Sequence, residues 1–331
     1  MSETFKALVL EEEEDGKTIN SFKQLTIDDL PDGDVVVAVS HSSLNYKDGL
    51  AITGTGKIIR KFPFVPGIDL AGVVESSQDE QYKAGDKVLL TGWGVGERHW
   101  GGFAQKARLK AKWLTPLPQD LTPTRAMAIG TAGFTAMLSV MALEDNGIQK
   151  DAGPVLVTGA NGGVGSVAVS LLSALGYEVT ASTGRLEESD FLKELGATNI
   201  LPREELSRKS KPLEKETWNG AIDTVGGEPL ATILSQLRYN SVVAACGLAA
   251  GVPLPTTVFP FILRNISLQG IDSVMCPPKR RQQAWQRLTD ILPMDRLDAL
   301  TTTIPFADLP QAASTILAGG IRGRTVIDVN S

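Results

Sequence analysis

The chain has 331 residues, a formal net charge of −6, 42% hydrophobic and 21% charged residues, and a sequence pI near 5.2. That balance argues against a general nucleic-acid-binding or acidic-membrane surface, and the length favours two domains over a single core. The only cysteines, Cys246 and Cys276, imply no disulfide framework, and the start Met1-Ser2-Glu3-Thr4-Phe5-Lys6 lacks a signal-peptide profile, so a cytoplasmic protein is expected. Apolar runs read as strand-sized, short of the roughly 20 residues of a membrane span.

In chain order, the first part reads as short strands punctuated by Gly and Pro. Residues 5–10 alternate as a strand, and the acidic run Glu11-Glu12-Glu13-Glu14-Asp15-Gly16 ends it as a solvated hairpin tip rather than a binding site. Residues 34–40, 70–75 and 87–90 are further strands, and many such strands suggest a small β-barrel. Residues 113–121, with Pro116 and Pro118, read as the exit from that domain, and residues 126–141 carry a helical period.

The most informative stretch follows. Pro154-Val155-Leu156-Val157 is an apolar strand, Thr158-Gly159-Ala160-Asn161-Gly162-Gly163-Val164-Gly165 is a glycine-dense turn, and the pattern from Ser166 is helical. Glycines at such a strand-to-helix turn let phosphates approach bare backbone, and the helix N-terminus supplies unpaired N–H groups. A second strand, residues 177–182, completes the βαβ unit and ends in Ser182-Thr183-Gly184-Arg185. An NAD site carries a carboxylate at that tip, whereas Arg accommodates the 2′-phosphate of NADP. Two hydroxyls, a glycine and a guanidinium therefore favour NADP, with Glu187 or Glu188 close enough to fold back toward the ribose.

Later strands at 199–201, 221–225, 241–245 and 268–271 alternate with helical stretches, which gives an α/β, doubly wound parallel (Rossmann) sheet with ligands at the strands' carboxyl ends. Residues 321–329 end as a strand returning to the first domain.

Beyond these patterns the chain resembles the medium-chain dehydrogenase/reductase superfamily, in its zinc-free quinone-oxidoreductase branch, and is similar in particular to the bacterial NADPH-dependent acryloyl-CoA reductases of that branch. The resemblance covers nearly the whole chain. It is carried by Ser43-Leu44-Asn45-Tyr46-Lys47-Asp48, Pro66-Gly67-Ile68-Asp69, Leu90-Thr91-Gly92-Trp93-Gly94-Val95-Gly96-Glu97 and His99-Trp100-Gly101-Gly102. Gly130-Thr131-Ala132-Gly133-Phe134-Thr135-Ala136-Met137, Ala221-Ile222-Asp223-Thr224-Val225-Gly226, Pro260-Phe261-Ile262-Leu263-Arg264-Asn265 and Gly270-Ile271-Asp272-Ser273-Val274-Met275 complete the set. At Asn161 relatives often have a small Ser, Ala or Thr. The resemblance implies a GroES-like small β-barrel catalytic domain (1–125, completed by 271–331), a Rossmann NADP-binding domain (126–270) and a homodimer.

It also implies an activity: NADPH-dependent reduction of the C=C bond of a short 2-enoyl-CoA, acryloyl-CoA first among them. A quinone or alkenone reductase, and an NADPH-binding sensor or structural protein, are the alternatives. Implied cofactor contacts are Asn161, Gly162, Gly163 and Val164 at the pyrophosphate, Thr183, Gly184 and Arg185 at the 2′-phosphate, and Arg203 beside the adenine or its phosphate. Tyr46, Leu248, Ile262, Ser273 and Arg324 are implied along the ribose and nicotinamide. Tyr46 is the leading proton donor, since a phenol can donate a proton and hydrogen-bond an enolate; a ribose-binding or packed tyrosine is the alternative. His99 is a weaker candidate, and Asp48 and Asp69 are expected to anchor loops. No metal is expected: His41, His99, Cys246 and Cys276 are scattered, and Ile68-Asp69 stands where the zinc branch has a His-Glu pair. For the CoA phosphates, Lys57, Arg60 and Lys61, or Lys279, Arg280 and Arg281, are basic clusters that otherwise read as solvated faces.

Overall fold

The computed structural model describes residues 3–331 and separates into two compact units: residues up to Thr131 together with Thr301–Ser331, and Ala132–Leu300. The sequence places these boundaries at 125 and 270 instead. In the structure the stretch from 271 to Leu300 holds to the second unit through specific bonds. Arg287 forks onto Glu144 (Nη2 to Oε1, 2.8 Å), Arg280 pairs with Asp145, and Arg296 donates to the Leu195 carbonyl at 2.8 Å.

Among the described residues fifteen strands run in chain order: β1 Thr4–Glu12, β2 Thr18–Thr26, β3 Val35–Leu44, β4 Asp69–Ser77, β5 Lys87–Thr91, β6 Lys106–Leu109, β7 Thr115–Pro116, β8 Val155–Val157, β9 Val179–Thr183, β10 Asn199–Pro202, β11 Gly220–Asp223, β12 Val242–Ala245, β13 Ser267–Gly270, β14 Thr301–Pro305 and β15 Arg324–Asp328. Three helices matter for the site: α1 Tyr46–Thr53, α2 Pro123–Asp145 and α3 Gly163–Ala174.

In the first unit a seven-stranded sheet has the order β14-β15-β3-β4-β5-β7, with β6 also paired to β3, and β1-β2 forms a hairpin whose tip is the acidic turn. Strand β3 shows why these residues make a strand here: Val35, Val37 and Val39 are buried while Val36, Ala38 and Ser40 alternate toward the other face. With Leu44, Leu70, Leu90, Phe103, Phe306 and Ile327 they form the unit's main core, where each fully buried side chain contributes about 1.5–3 kcal/mol. β15 lies between β14 and β3, so residues after 320 do return to this unit.

The second unit is a six-stranded parallel sheet of order β10-β9-β8-β11-β12-β13. β8 is central and all three of its residues are buried, which is why it reads as an unbroken apolar run. The order reverses between β8 and β11, the place where an open α/β sheet leaves a crevice for ligands.

α2 corrects one expectation. It is the one helix among the described residues long and apolar enough to cross a membrane, and 94% of its apolar window is buried. Small residues such as Gly130, Gly133 and Ser139 break the run to the eye while its average stays apolar. Its backbone departs from the helix at Gly130 (φ 47°, ψ −158°), a conformation that needs glycine.

Candidate functional site

In the second unit, β8 delivers the chain through Thr158 to a turn with φ +57° at Gly159, and α3 starts at Gly163 with Gly162 as its N-cap. A Cβ at Gly165 would come within 2.8 Å of the Ala160 Cα and the Gly159 carbonyl carbon, so only glycine lets the helix pack this closely on the turn. No side chain caps the twelve-residue helix. Its first N–H groups and the positive end of its dipole make an anion site, with Asn161, Gly162, Gly163 and Val164 lining the approach. Asp223 at the end of β11 braces the turn by accepting Thr158 Oγ1 at 2.8 Å and Gly226 N at 2.8 Å. Sequence reading gave it no role, although its position at the end of a central strand was visible.

At the tip of β9 a ring of four residues closes, one of its links through the Arg185 backbone N–H. The Thr183 hydroxyl donates to Asn161 Oδ1, and Asn161 Nδ2 donates to Glu188 Oε2 at 2.8 Å. Glu188 Oε2 pairs with Arg185 Nε at 3.4 Å, and Arg185 N donates to Thr183 Oγ1 at 2.9 Å. The ring thus joins the glycine turn after β8 to the turn after β9. Arg203 lies across Gly184: a Cβ there would sit 2.6 Å from its Cδ and Nε. Gly184 has no left-handed φ, so its role is space. The structure therefore brings Asn161, Thr183, Gly184, Arg185 and Arg203 together, and adds Glu188.

The other residues expected in this unit follow strands β12 and β13 or lie between them. Leu248, three residues past β12, is 60% exposed; Ile262, on a short helix at 259–264, is 69% exposed, which removes a core-packing role. Ser273, past β13, is half-buried and its carbonyl accepts Arg281 Nη2 at 3.1 Å.

In the first unit, Tyr46 is the first residue of α1 and is 45% exposed. The helix start is held by a reciprocal capping box: Asn45 is the N-cap, and its N–H donates to Asp48 Oδ2 at 2.9 Å. Asp48 Oδ1 also accepts Ile68 N at 3.0 Å. Asp69 is fully buried and accepts four bonds, from Ser43 Oγ (2.5 Å), Asn45 Nδ2 (2.9 Å), Thr131 N (2.9 Å) and Thr131 Oγ1 (2.5 Å). Arg324, also buried, donates to the Ala128 carbonyl (2.8 Å) and Asn45 Oδ1 (3.2 Å), while its Nη2 is buried without a partner.

Burial depresses the guanidinium's pKa, opposed by Asp69 and then Asp48. Burial, followed by Asp69, pushes the Asp48 carboxyl up to about 7 against its N–H donors. Both aspartates anchor loops, as the sequence suggested. Arg324 emerges as part of a buried polar cluster that its position in the sequence gave no way to see.

His99 is set in structure: its Nε2 meets the Arg108 carbonyl at 2.8 Å, its ring packs edge-on to Trp113, and burial lowers its pKa. The basic run Lys279-Arg280-Arg281 is not a free cationic face. Arg280 pairs with Asp145, and Arg281 is buried over the Phe134 ring. Lys57, Arg60 and Lys61 are exposed and have no ion pair among the described residues.

Residues 163–290 match the family described as zinc-binding dehydrogenase, and residues 31–119 the alcohol dehydrogenase GroES-like domain. The chain is 56% identical over 329 residues to "Acrylyl-CoA reductase AcuI" of Ruegeria pomeroyi, covering 99% of this chain and all of that one. It is 44% identical to "Putative quinone oxidoreductase YhfP" of Bacillus subtilis, over 99% of both. A crystal structure of the yhdH oxidoreductase from Salmonella enterica in complex with NADP superimposes with a TM-score of 0.96 at 57% identity, covering 98% of this chain and 99% of that one. The zinc in the family description has no fitting donor set here. Among the described residues no three His, Cys, Asp or Glu side chains cluster to hold a metal. Asp69 already accepts four bonds, and burial pushes the Cys246 thiol up to about 12, far from the thiolate that zinc needs.

Proposed function

Because the chain belongs to the medium-chain dehydrogenase/reductases, which pair an alcohol dehydrogenase GroES-like domain with a zinc-binding-dehydrogenase domain, we propose that it is an NADPH-dependent oxidoreductase acting on a short 2-enoyl-CoA, reducing acryloyl-CoA to propanoyl-CoA. The observation that carries this reading is the full-length likeness to an acrylyl-CoA reductase. The cofactor fits the second unit: the uncapped start of α3 suits a pyrophosphate, and Thr183, Arg185 and Arg203 around Gly184 suit a ribose 2′-phosphate.

Bound NADPH supplies a hydride for Cβ of the conjugated thioester. The chain's own part is to bind, orient and protonate. Asn161, Gly162, Gly163 and Val164 are proposed for the pyrophosphate. Tyr46, Leu248, Ile262, Ser273 and Arg324 are proposed for the ribose and nicotinamide end, and the exposed faces of Tyr46, Leu248 and Ile262 support it. Tyr46 is the proposed proton donor to Cα. Its phenol stands exposed at the head of α1, whose first turn is fixed by Asn45 and Asp48, so the hydroxyl is carried on a rigid start. Lys57, Arg60 and Lys61 are proposed for the CoA phosphates. No metal is assigned to the reaction, because the Cys246 thiol and the Asp69 carboxylate, among the described residues, do not make a zinc donor set. A homodimer in the cytoplasm is proposed as well. The unpaired edge of β13 and exposed Phe259, Leu263 and Met275 support the former, and the free cysteines the latter.

The test is a side-by-side assay of acryloyl-CoA and a benzoquinone with NADPH. Saturable turnover of acryloyl-CoA is expected, with kcat lowered about 10²-fold in Tyr46→Phe at nearly unchanged NADPH affinity. The relative named as a quinone oxidoreductase favours the second reading, a quinone or alkenone reductase. Rapid quinone reduction with acryloyl-CoA ignored would replace the first reading by that one, and no NADPH consumption with either acceptor would point to a sensor or structural role.

A further inference from the structure

Each guanidinium at the tip of β9 already meets a carboxylate of the chain itself. Arg203 Nε lies 3.2 Å from Glu204 Oε1, and Arg185 Nε lies 3.4 Å from Glu188 Oε2. The two pairs differ in kind. Both side chains of the Arg203–Glu204 pair are more than two-thirds exposed, so water screens the pair and either partner can swing away. The side chains of Arg185 and Glu188 are only 26% and 21% exposed. Glu188 is also tethered, because the same oxygen accepts Asn161 Nδ2 at 2.8 Å and Asn161 is held from its other end by the Thr183 hydroxyl. A smaller residue at position 161, a Ser, Ala or Thr, could not bridge Thr183 and Glu188 in this way.

We propose that Glu188 is a specificity-determining residue of this site: a tethered internal carboxylate that occupies Arg185 and tempers the preference for the 2′-phosphate of NADPH over the 2′-hydroxyl of NADH. The proposal rests on the NADPH reading of the site. A phosphate binding Arg185 competes with the 3.4 Å pairing to Glu188 through charge-assisted, forked bonds. It does so beside a carboxylate that Asn161 does not let retreat, and the like charges oppose each other across a partly shielded gap. NADH carries no charge at that position and does not meet this cost. Asn161 is the positioning residue of the device: its Nδ2 holds Glu188 Oε2 at 2.8 Å.

Glu188→Gln isolates the charge, since the amide oxygen still accepts from Asn161. The experiment is equilibrium titration of the full chain with NADPH, NADH and 2′,5′-ADP, for the unmodified protein, Glu188→Gln, Arg185→Ala, the double variant and Glu204→Gln, with thermal unfolding to confirm each fold. Glu188→Gln is expected to raise the NADPH-to-NADH affinity ratio about three- to tenfold, to tighten 2′,5′-ADP in parallel, and to lose this gain as salt is raised. Glu204→Gln, and Glu188→Gln in the Arg185→Ala background, are expected to change the ratio less than about twofold. A folded Glu188→Gln protein whose ratio is unchanged or lowered overturns the proposal, provided Arg185→Ala still lowers the ratio. If Arg185→Ala leaves the ratio where it was, the 2′-phosphate does not lie at this turn, and the reading of the site falls together with the role of Glu188.

Discussion

Two polar clusters, one in each unit, use nearly the same parts: Asn, Asp or Glu, Arg and a Thr. Around Asp69 they are sealed. Asp48, Asp69 and Arg324 are each no more than 3% exposed, and Asp69 spends its oxygens on four donors of the same unit. Around Glu188 they are open. The side chains of Arg185 and Arg203 reach solvent, each with its Nε beside a carboxylate, that of Glu188 or Glu204. The difference is one of energetic use. A deeply buried ionic group held from within the fold fixes a local structure and is costly to disturb, whereas a more exposed one can exchange a partner for a ligand.

Substituting one carboxylate from each cluster is the most severe test of this contrast. Asp69→Ala leaves Arg324 charged in the interior and strands the donors of Ser43, Asn45 and Thr131. Denaturant unfolding is expected to show a loss of about 3–5 kcal/mol. Glu188→Gln should stay within about 0.5 kcal/mol of the unmodified protein. Equal losses would erase the distinction.

The sealed cluster should also respond to pH in a definite direction. The Asp48 carboxyl titrates at about 7 in the folded chain against an ordinary 3.8, so the folded state holds the proton more tightly. Its contribution to stability is full below 3.8 and is lost as pH rises through about 7, in the field of Asp69 and Arg324. The stability of the unmodified protein should fall by on the order of 1–3 kcal/mol more than that of Asp48→Asn over this window. Parallel curves for the two proteins would mean that the carboxyl is ionised throughout.

The smallest effect is expected in the open cluster. Gly184→Ala places a Cβ against Arg203 without straining the backbone, and the exposed Arg203 side chain can move aside. The melting temperature should hold while NADPH affinity falls about three- to tenfold and NADH affinity does not. Unchanged NADPH affinity would remove Arg203 from the phosphate site.

Legibility in the sequence follows the same division. The strand, glycine turn and helix of residues 154–175, and the Arg185 tip of β9, were readable because local spacing encodes them. The parallel sheet was readable because each of its strands is a short apolar run between turns. The ring through Glu188 was only half visible: a carboxylate near the ribose was expected, but which side chain folds back depends on the short turn at 186–188. The sealed cluster was not readable from spacing, since Asn45, Asp69, Thr131 and Arg324 come from four distant segments. Arg281 shows the opposite error. In sequence it stands in a basic run, and only the packing of Phe134 beneath it reveals a buried cation.

The place of β15 has a consequence for how the chain folds as it is made. Its first residue, Arg324, bonds to Asn45, 279 positions earlier, and the strand lies inside a sheet rather than at its edge. The second unit lies wholly between those partners and closes on contacts of shorter range. A ribosome therefore delivers all of the nucleotide-binding sheet while the barrel still lacks an interior strand, and the unit that begins first is completed last. Until residues 324–328 emerge, the flank of β3 that β15 will occupy is an open strand edge, the kind of surface that chaperones cover and that aggregates when they do not.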